Sequence, residues 1–214
     1  MTAARIGVVV GLNAEARLAH AWGMPVAVGG GTSAGAAAAA ADLAPSVQAL
    51  ISFGLAGGLD PALQPGAIIV PSQVSSSGGT RWTTDAALND LLGGCTGHVL
   101  LGDGQVLATV EAKRTARGLG FDAVDLESAA VAAIAGRHGM PFAVLRAVCD
   151  PADRPLPRAA LVALDAAGRI GSLRVVVTAL ANPMELPALI ALASDANHAR
   201  RSLRQRVSRT TLGR

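Results

Sequence analysis

Short aliphatic runs, each bounded by Gly or Pro, alternate along this chain with Ala-rich stretches of helical length. Strands alternating with helices build an α/β domain, and runs that are apolar throughout mark strands covered on both faces. The pattern predicts strands over 6–10, 25–28, 50–54, 67–70, 98–101, 106–109, 122–125 and 142–148, with helices over 34–43 and 127–138. The second helix is followed by Gly139 and Pro141, a common helix stop. Helical patterning resumes after Pro157, is broken at Pro183 and Pro187, and ends in a helix over 186–206. No repeat or linker interrupts the series, so 1–214 reads as one domain with a basic helical extension from about 186.

Composition limits what such a chain can do. Of 214 residues 51% are hydrophobic and 15% charged, which supplies a sizeable core and excludes intrinsic disorder. Aromatics are 2% with no Tyr, so a base-stacking nucleic-acid module is excluded. The most apolar window, 175–193, is interrupted by Asn182, Pro183, Glu185 and Pro187 and does not suit a membrane span. Arg5 followed by an apolar stretch and Ala14-Glu15-Ala16 imitates a signal peptide, but Gly7 and Gly11 inside it fit a buried first strand better. Cys95, Cys149 and four scattered histidines offer neither a disulfide framework nor a metal spacing. A cytoplasmic protein without metal or cofactor is expected.

The net charge of +3 conceals an asymmetry: six arginines and no acid follow Asn197, leaving −3 for the remainder. Such a tail suits nucleic acid, an anionic membrane surface or plain solvation.

Acidic residues fall where an open α/β sheet binds ligands, at strand ends. Glu15 follows the first strand, Asp125 and Glu127 bracket Leu126 at a strand-to-helix junction, and Asp150 follows the strand ending at Val148. Each alone also fits a helix N-terminal carboxylate or a loop charge. The Gly-rich stretch at 29–35 lacks the dinucleotide spacing; it suits either an anion held by backbone donors or a tight turn.

Ile51-Ser52-Phe53-Gly54-Leu55-Ala56-Gly57-Gly58-Leu59, Ala123-Val124-Asp125-Leu126-Glu127-Ser128-Ala129-Ala130 and Leu145-Arg146-Ala147-Val148-Cys149-Asp150-Pro151-Ala152-Asp153 resemble the nucleoside phosphorylase and nucleosidase superfamily. Within it the chain is most similar to the hopanoid-associated phosphorylases, the adenosylhopane nucleosidases. That likeness extends through Gly11-Leu12-Asn13-Ala14-Glu15-Ala16-Arg17, Gly57-Gly58-Leu59-Asp60-Pro61-Ala62-Leu63, Arg81-Trp82-Thr83-Thr84-Asp85-Ala86-Ala87 and Leu186-Pro187-Ala188-Leu189-Ile190.

The resemblance implies a three-layer α/β/α sandwich around a mixed, largely buried sheet. It implies an enzyme that releases adenine from adenosylhopane, with a purine nucleoside phosphorylase, a methylthioadenosine/adenosylhomocysteine nucleosidase and a non-catalytic nucleoside binder as alternatives. It makes Asp150 the acid at purine N7, Glu127 the ribose ligand with Leu126 against the sugar, and Glu15 the group orienting the attacking water. Gln105 and Val106 fall near the adenine segment. Gly11, Leu55, Ala56 and Gly57, with Gly30 and Gly31, form the expected water or phosphate site, to which Arg17 is a further candidate. Phosphorolytic relatives carry an arginine where this chain reads Ile51-Ser52-Phe53-Gly54, so hydrolysis is expected, with phosphate as the possible co-substrate. Cys149 replaces a common Ser and reads as packing. Implied partners are an adenosyl small molecule or lipid, an anionic membrane at the C-terminus, no nucleic acid, and a second copy in a homodimer.

Overall fold

The computed structural model describes residues 5–102, 105–158, 160 and 183–210. Nine strands form one mixed sheet: β1 (Ile6–Val10), β2 (Val26–Val28), β3 (Ala49–Gly58), β4 (Ile68–Ile69), β5 (Gln73–Ser75), β6 (Arg81–Thr83), β7 (Val99–Leu101), β8 (Ala123–Val124) and β9 (Phe142–Asp150). Strand order runs β2-β1-β3-β8-β7-β5-β6, with β9 against β3 and β4 against β9. Helices among the described residues include α1 (Asn13–Ala19), α2 (Ser33–Leu43), α3 (Ala86–Leu91), α4 (Val110–Gly118), α5 (Ser128–Arg137) and α6 (Leu186–Arg209).

The central strands bury both faces because nearly every side chain on them is apolar. Successive residues point to opposite sides, and the core divides accordingly. Val9, Leu50 and Val144 pack on one face against Ala36, Ala39 and Ala40 of α2 and the Ala-rich face of α5. Val8, Ile51, Phe53 and Leu145 pack on the other against α1, α3 and Ala199, Leu203 and Val207 of α6. Two helical layers therefore enclose the sheet, the α/β/α architecture expected. Small residues permit the close approach: a Cβ at Gly35 would stand 1.8 Å from the Gly29 carbonyl oxygen. The 29–35 stretch is thus a packing turn, with Thr32 capping α2 by accepting from the Gly35 N–H at 3.1 Å.

Several expectations are corrected. No strand forms over 106–109; that segment is irregular and ends at Thr109, whose hydroxyl accepts from the Ala112 N–H and starts α4. Its Ala108 carbonyl accepts from the Leu156 N–H at 2.8 Å, a contact with the loop after β9 rather than with a strand. Strand β3 continues to Gly58 instead of turning at Gly57, since Gly57 and Gly58 pair with β8. Helices α1, α3 and α4 and strands β5 and β6 were not legible in the sequence; most are too short for a periodic signal. Most of the helical patterning expected after Pro157 lies outside the described residues. Leu203 and Val207 of the basic C-terminal helix are buried in the body of the protein. Among the described residues no helix is long and apolar enough to cross a membrane.

Candidate active site

At the C-terminal ends of the parallel strands β1, β3 and β9 lies a cavity of about 500 Å³. The loop after β1, the end of β3, the β8–α5 junction and the end of β9 form its floor, and α6 forms one wall. Gly11, Glu15, Leu55, Ala56, Gly57, Gln105, Val106, Leu126, Glu127 and Asp150, all singled out in the sequence, border it together. Gly31 does as well. Gly30 does not, and Arg17 is an exposed residue directed at the Asn13 carbonyl.

Glu15 sits in the first turn of α1 with its carboxylate folded back onto the loop. One oxygen, Oε2, accepts from the Gly11 and Leu12 N–H groups at 3.0 and 2.9 Å. The other, Oε1, accepts from the Leu55 N–H on β3 at 3.0 Å. A carboxylate bound by three backbone donors would ordinarily be a stronger acid. Here burial outweighs those donors and the nearby Arg146, and the carboxyl is held above its usual range.

Asp125 serves the helix behind the site. Its Oδ1 accepts from the N–H groups of Glu127 and Ser128 at 3.1 and 3.0 Å, closing the start of α5. Its Oδ2 lies 2.5 Å from Arg146 Nε, an ion-pair contact without hydrogen-bond alignment. Asp125 thereby leaves Glu127 free to project into the cavity. Glu127 Oε2 is 3.4 Å from Arg146 Nη2, while Oε1, fully buried, has no partner among the described residues. Burial pushes this carboxyl up to about 7, Arg146 opposing and the charges of Glu15 and Asp125 reinforcing.

Arg146 was missed by sequence reasoning. It lies within an apolar strand motif, and only the pairing of β9 with β3 brings it below Gly54. The guanidinium is 1% exposed and donates to Ser52 Oγ at 2.7 Å and Ser128 Oγ at 3.2 Å. A Cβ at Gly54 would fall 2.5 Å from Arg146 Nη1 and 2.6 Å from Glu15 Oε1, so only glycine lets both groups meet over this strand. An arginine therefore does reach the 51–54 segment that lacks one in sequence, but it is committed to carboxylates. Glu15, Asp125 and Glu127 surround this one guanidinium, and the cluster carries an excess of negative charge when all are ionised.

Asp150 ends β9, with Oδ2 on the side of Gly57, 3.6 Å from where a Cβ there would stand. Its Oδ1 accepts from the Lys113 ammonium at 2.8 Å. Burial raises the Asp150 carboxyl despite this partner. Lys113 too was missed: α4 was not foreseen, and a lysine among exposed charges gives no sign of facing inward. Cys149, half-buried beside it, has its thiol pushed up to about 12 by burial and so is no nucleophile; it packs with the α6-side core. Leu156, Leu189, Leu192 and Ala193 give the outer cavity an apolar wall.

Residues 23–182 match the family model described as the phosphorylase superfamily. No curated protein matches the chain. Among solved structures, the chain is similar to the 5'-methylthioadenosine/S-adenosylhomocysteine nucleosidase of Neisseria meningitidis in complex with methylthio-immucillin-A, with TM-score 0.68 and 16% identity over 95% of this chain and 98% of that one. It is also similar to the corresponding nucleosidase of Colwellia psychrerythraea in complex with adenine, with TM-score 0.63 and 19% identity over 70% and 84%. Futalosine hydrolase of Helicobacter pylori gives TM-score 0.62 and 18% identity over 70% and 89%. At these identities the likeness is one of fold.

Proposed function

The chain belongs to the phosphorylase superfamily, and from that premise we propose that it breaks the N-glycosidic bond of an adenosyl compound and releases adenine. The observation that carries this reading is the convergence of Glu15, Glu127 and Asp150, from three separate segments, on one cavity. The nucleosidases it resembles in fold are recorded with adenine or a methylthio-immucillin, which supports an adenosyl substrate.

An N-glycosidic bond breaks through an oxocarbenium-like state, which requires a proton on the departing base and negative charge near the sugar. Asp150, its carboxyl raised by burial, gives its proton to purine N7, and the base leaves with the C1′–N9 electron pair. Glu127, at the cavity wall, accepts the ribose hydroxyls, with Leu126 against the ring. Glu15 orients a water molecule toward C1′ and takes its proton. Gln105 and Val106 border the adenine. In their ionised forms Glu15 and Glu127 set negative charge near the developing sugar cation.

Water rather than phosphate fits the polar floor. Donors that an anion at this turn would need, the N–H groups of Gly11, Leu12 and Leu55, already serve Glu15. A dianion would also meet the surplus carboxylates. Adenine release in phosphate-free buffer is expected to equal that with phosphate added; a strict phosphate requirement would identify a phosphorolytic enzyme.

For the substrate itself we favour adenosylhopane, because the wall formed by Leu156, Leu189, Leu192 and Ala193 suits a large apolar group on ribose C5′. Exposed Leu186 and Ile190 with exposed Arg201 and Arg204 on α6 support peripheral contact with an anionic membrane. Turnover of adenosylhopane in detergent should exceed that of methylthioadenosine; the reverse preference would point to a soluble adenosyl-nucleosidase.

A further inference from the structure

Lys113 is the charged residue of α4 that points inward: Glu111 and Arg114 are exposed, whereas Lys113 is 0% exposed. An ammonium taken out of water is tolerated only when paired and hydrogen-bonded. All three of its protons are engaged, by Asp150 Oδ1, the Pro151 carbonyl and the Arg154 carbonyl, each at 2.8 Å. Arg154 in turn pairs with Asp195 of α6, so the same lysine ties the end of β9 to the cavity wall.

We propose that Lys113 is a positioning residue for the leaving-group acid, occupying Asp150 Oδ1 so that the transferable proton sits on Oδ2, the oxygen beside Gly57 at the cavity. This rests on the glycosidic reading above. Before transfer, the ammonium faces a neutral carboxyl and the contact is a hydrogen bond. As the proton moves from Oδ2 to N7 and the C1′–N9 pair leaves with the base, Asp150 becomes a carboxylate and the contact becomes a full ion pair. An interaction that strengthens toward the transition state raises kcat and leaves substrate binding little changed. Lys113 itself gives up no proton: each of its hydrogens is held by an acceptor that is not substrate. The other charged groups facing Asp150 are Arg154, from the loop after β9, and Asp195 on α6; the Cys149 thiol is its strand neighbour.

The test compares adenosine with nitrophenyl riboside, whose phenolate departs without protonation. Lys113→Met should lower kcat on adenosine by about 30-fold or more, within the range for a general acid, while KM moves less than about threefold. Its activity on nitrophenyl riboside should stay within about threefold of the parent, which also shows that the variant folds. With the ammonium gone, the alkaline limb of the kcat profile for adenosine should move to higher pH, a change that a merely structural role would not produce. Lys113→Arg, which keeps the charge, should restore much of the rate and return the limb. Equal losses on both substrates, adenosine turnover within about threefold of the parent, or an unmoved limb would each overturn the proposal. A parent that cleaves neither riboside and releases no adenine from adenosylhopane or methylthioadenosine overturns the glycosidic reading, and the proposal with it, whereas an active parent with an unaffected variant overturns the proposal alone.

Discussion

Asp150 and Glu127 are both acidic residues at a strand end, yet their surroundings give them different work. Asp150 has an ammonium on one oxygen and the cavity on the other; Glu127 shares a guanidinium with two further carboxylates. Replacing Asp150 by Asn preserves the shape and removes the proton, so adenine release should fall by about 10²–10⁴, the usual weight of a general acid. Turnover near the parent's would remove Asp150 from the chemistry. Glu127→Gln should lose far more rate with adenosine than with a 2′,3′-dideoxy analogue, whose hydroxyls are already missing; equal loss on the two would take Glu127 off the ribose. These acids were legible because carboxylates at strand ends stand out in an aliphatic sequence. Arg146 and Lys113 were not, because nothing local tells a buried basic side chain from a solvated one.

Helix α6 has two faces of different character. Exposed arginines lie along one of them, while Ala199, Leu203 and Val207, four residues apart, form a stripe that packs on the sheet. Even one arginine is structural: Arg206 Nη1 donates to the Leu92 and Gly93 carbonyls at 3.0 Å, where α3 ends. Trp22 Nε1 donates to Thr210 Oγ1 at 3.0 Å and pins the far end of α6. Leu203→Ala should therefore cost about 2–5 kcal/mol, read as a lower denaturant midpoint; an unchanged midpoint would mean that α6 does not stabilise the fold. Replacing Arg201, Arg204 and Arg209 by Gln, all exposed, should leave that midpoint nearly unchanged while abolishing any salt-sensitive binding to anionic liposomes. Truncating the helix would confuse the two effects.

Across the whole molecule the site is a store of buried charge, and this sets how stability responds to pH. Glu127 has a carboxyl near 7 in the folded protein against 4.5 for the free group, so the folded state binds its proton more tightly than the unfolded chain does. Its contribution is fully present below pH 4.5, declines as pH rises through 7 and is gone above. The span is on the order of 3 kcal/mol. Glu15 and Asp150 are shifted in the same direction and add to the trend. Chemical denaturation at pH 5 and pH 8 should show the parent losing stability at the higher pH, and Glu127→Gln should remove much of that loss. Parallel behaviour of the two proteins would mean that Glu127 titrates normally.

The sequence by itself determined the layered α/β architecture, since aliphatic runs and Ala-rich helices can be buried in few other ways. It also marked the ends of β1, β8 and β9 as the places for chemistry, through Glu15, Glu127 and Asp150. Only the tertiary structure decided what these acids face. The register of β9 against β3 sets Arg146 under Gly54, and the docking of α4 brings Lys113 to Asp150 across 37 residues of chain. The closure of α6 over β9 turns an apparent basic tail into a core helix and one wall of the cavity. Such pairings depend on which distant segments share a sheet edge or a helical face. Local periodicity carries no information about them, because a buried ion pair joins residues whose own neighbours in sequence look ordinary.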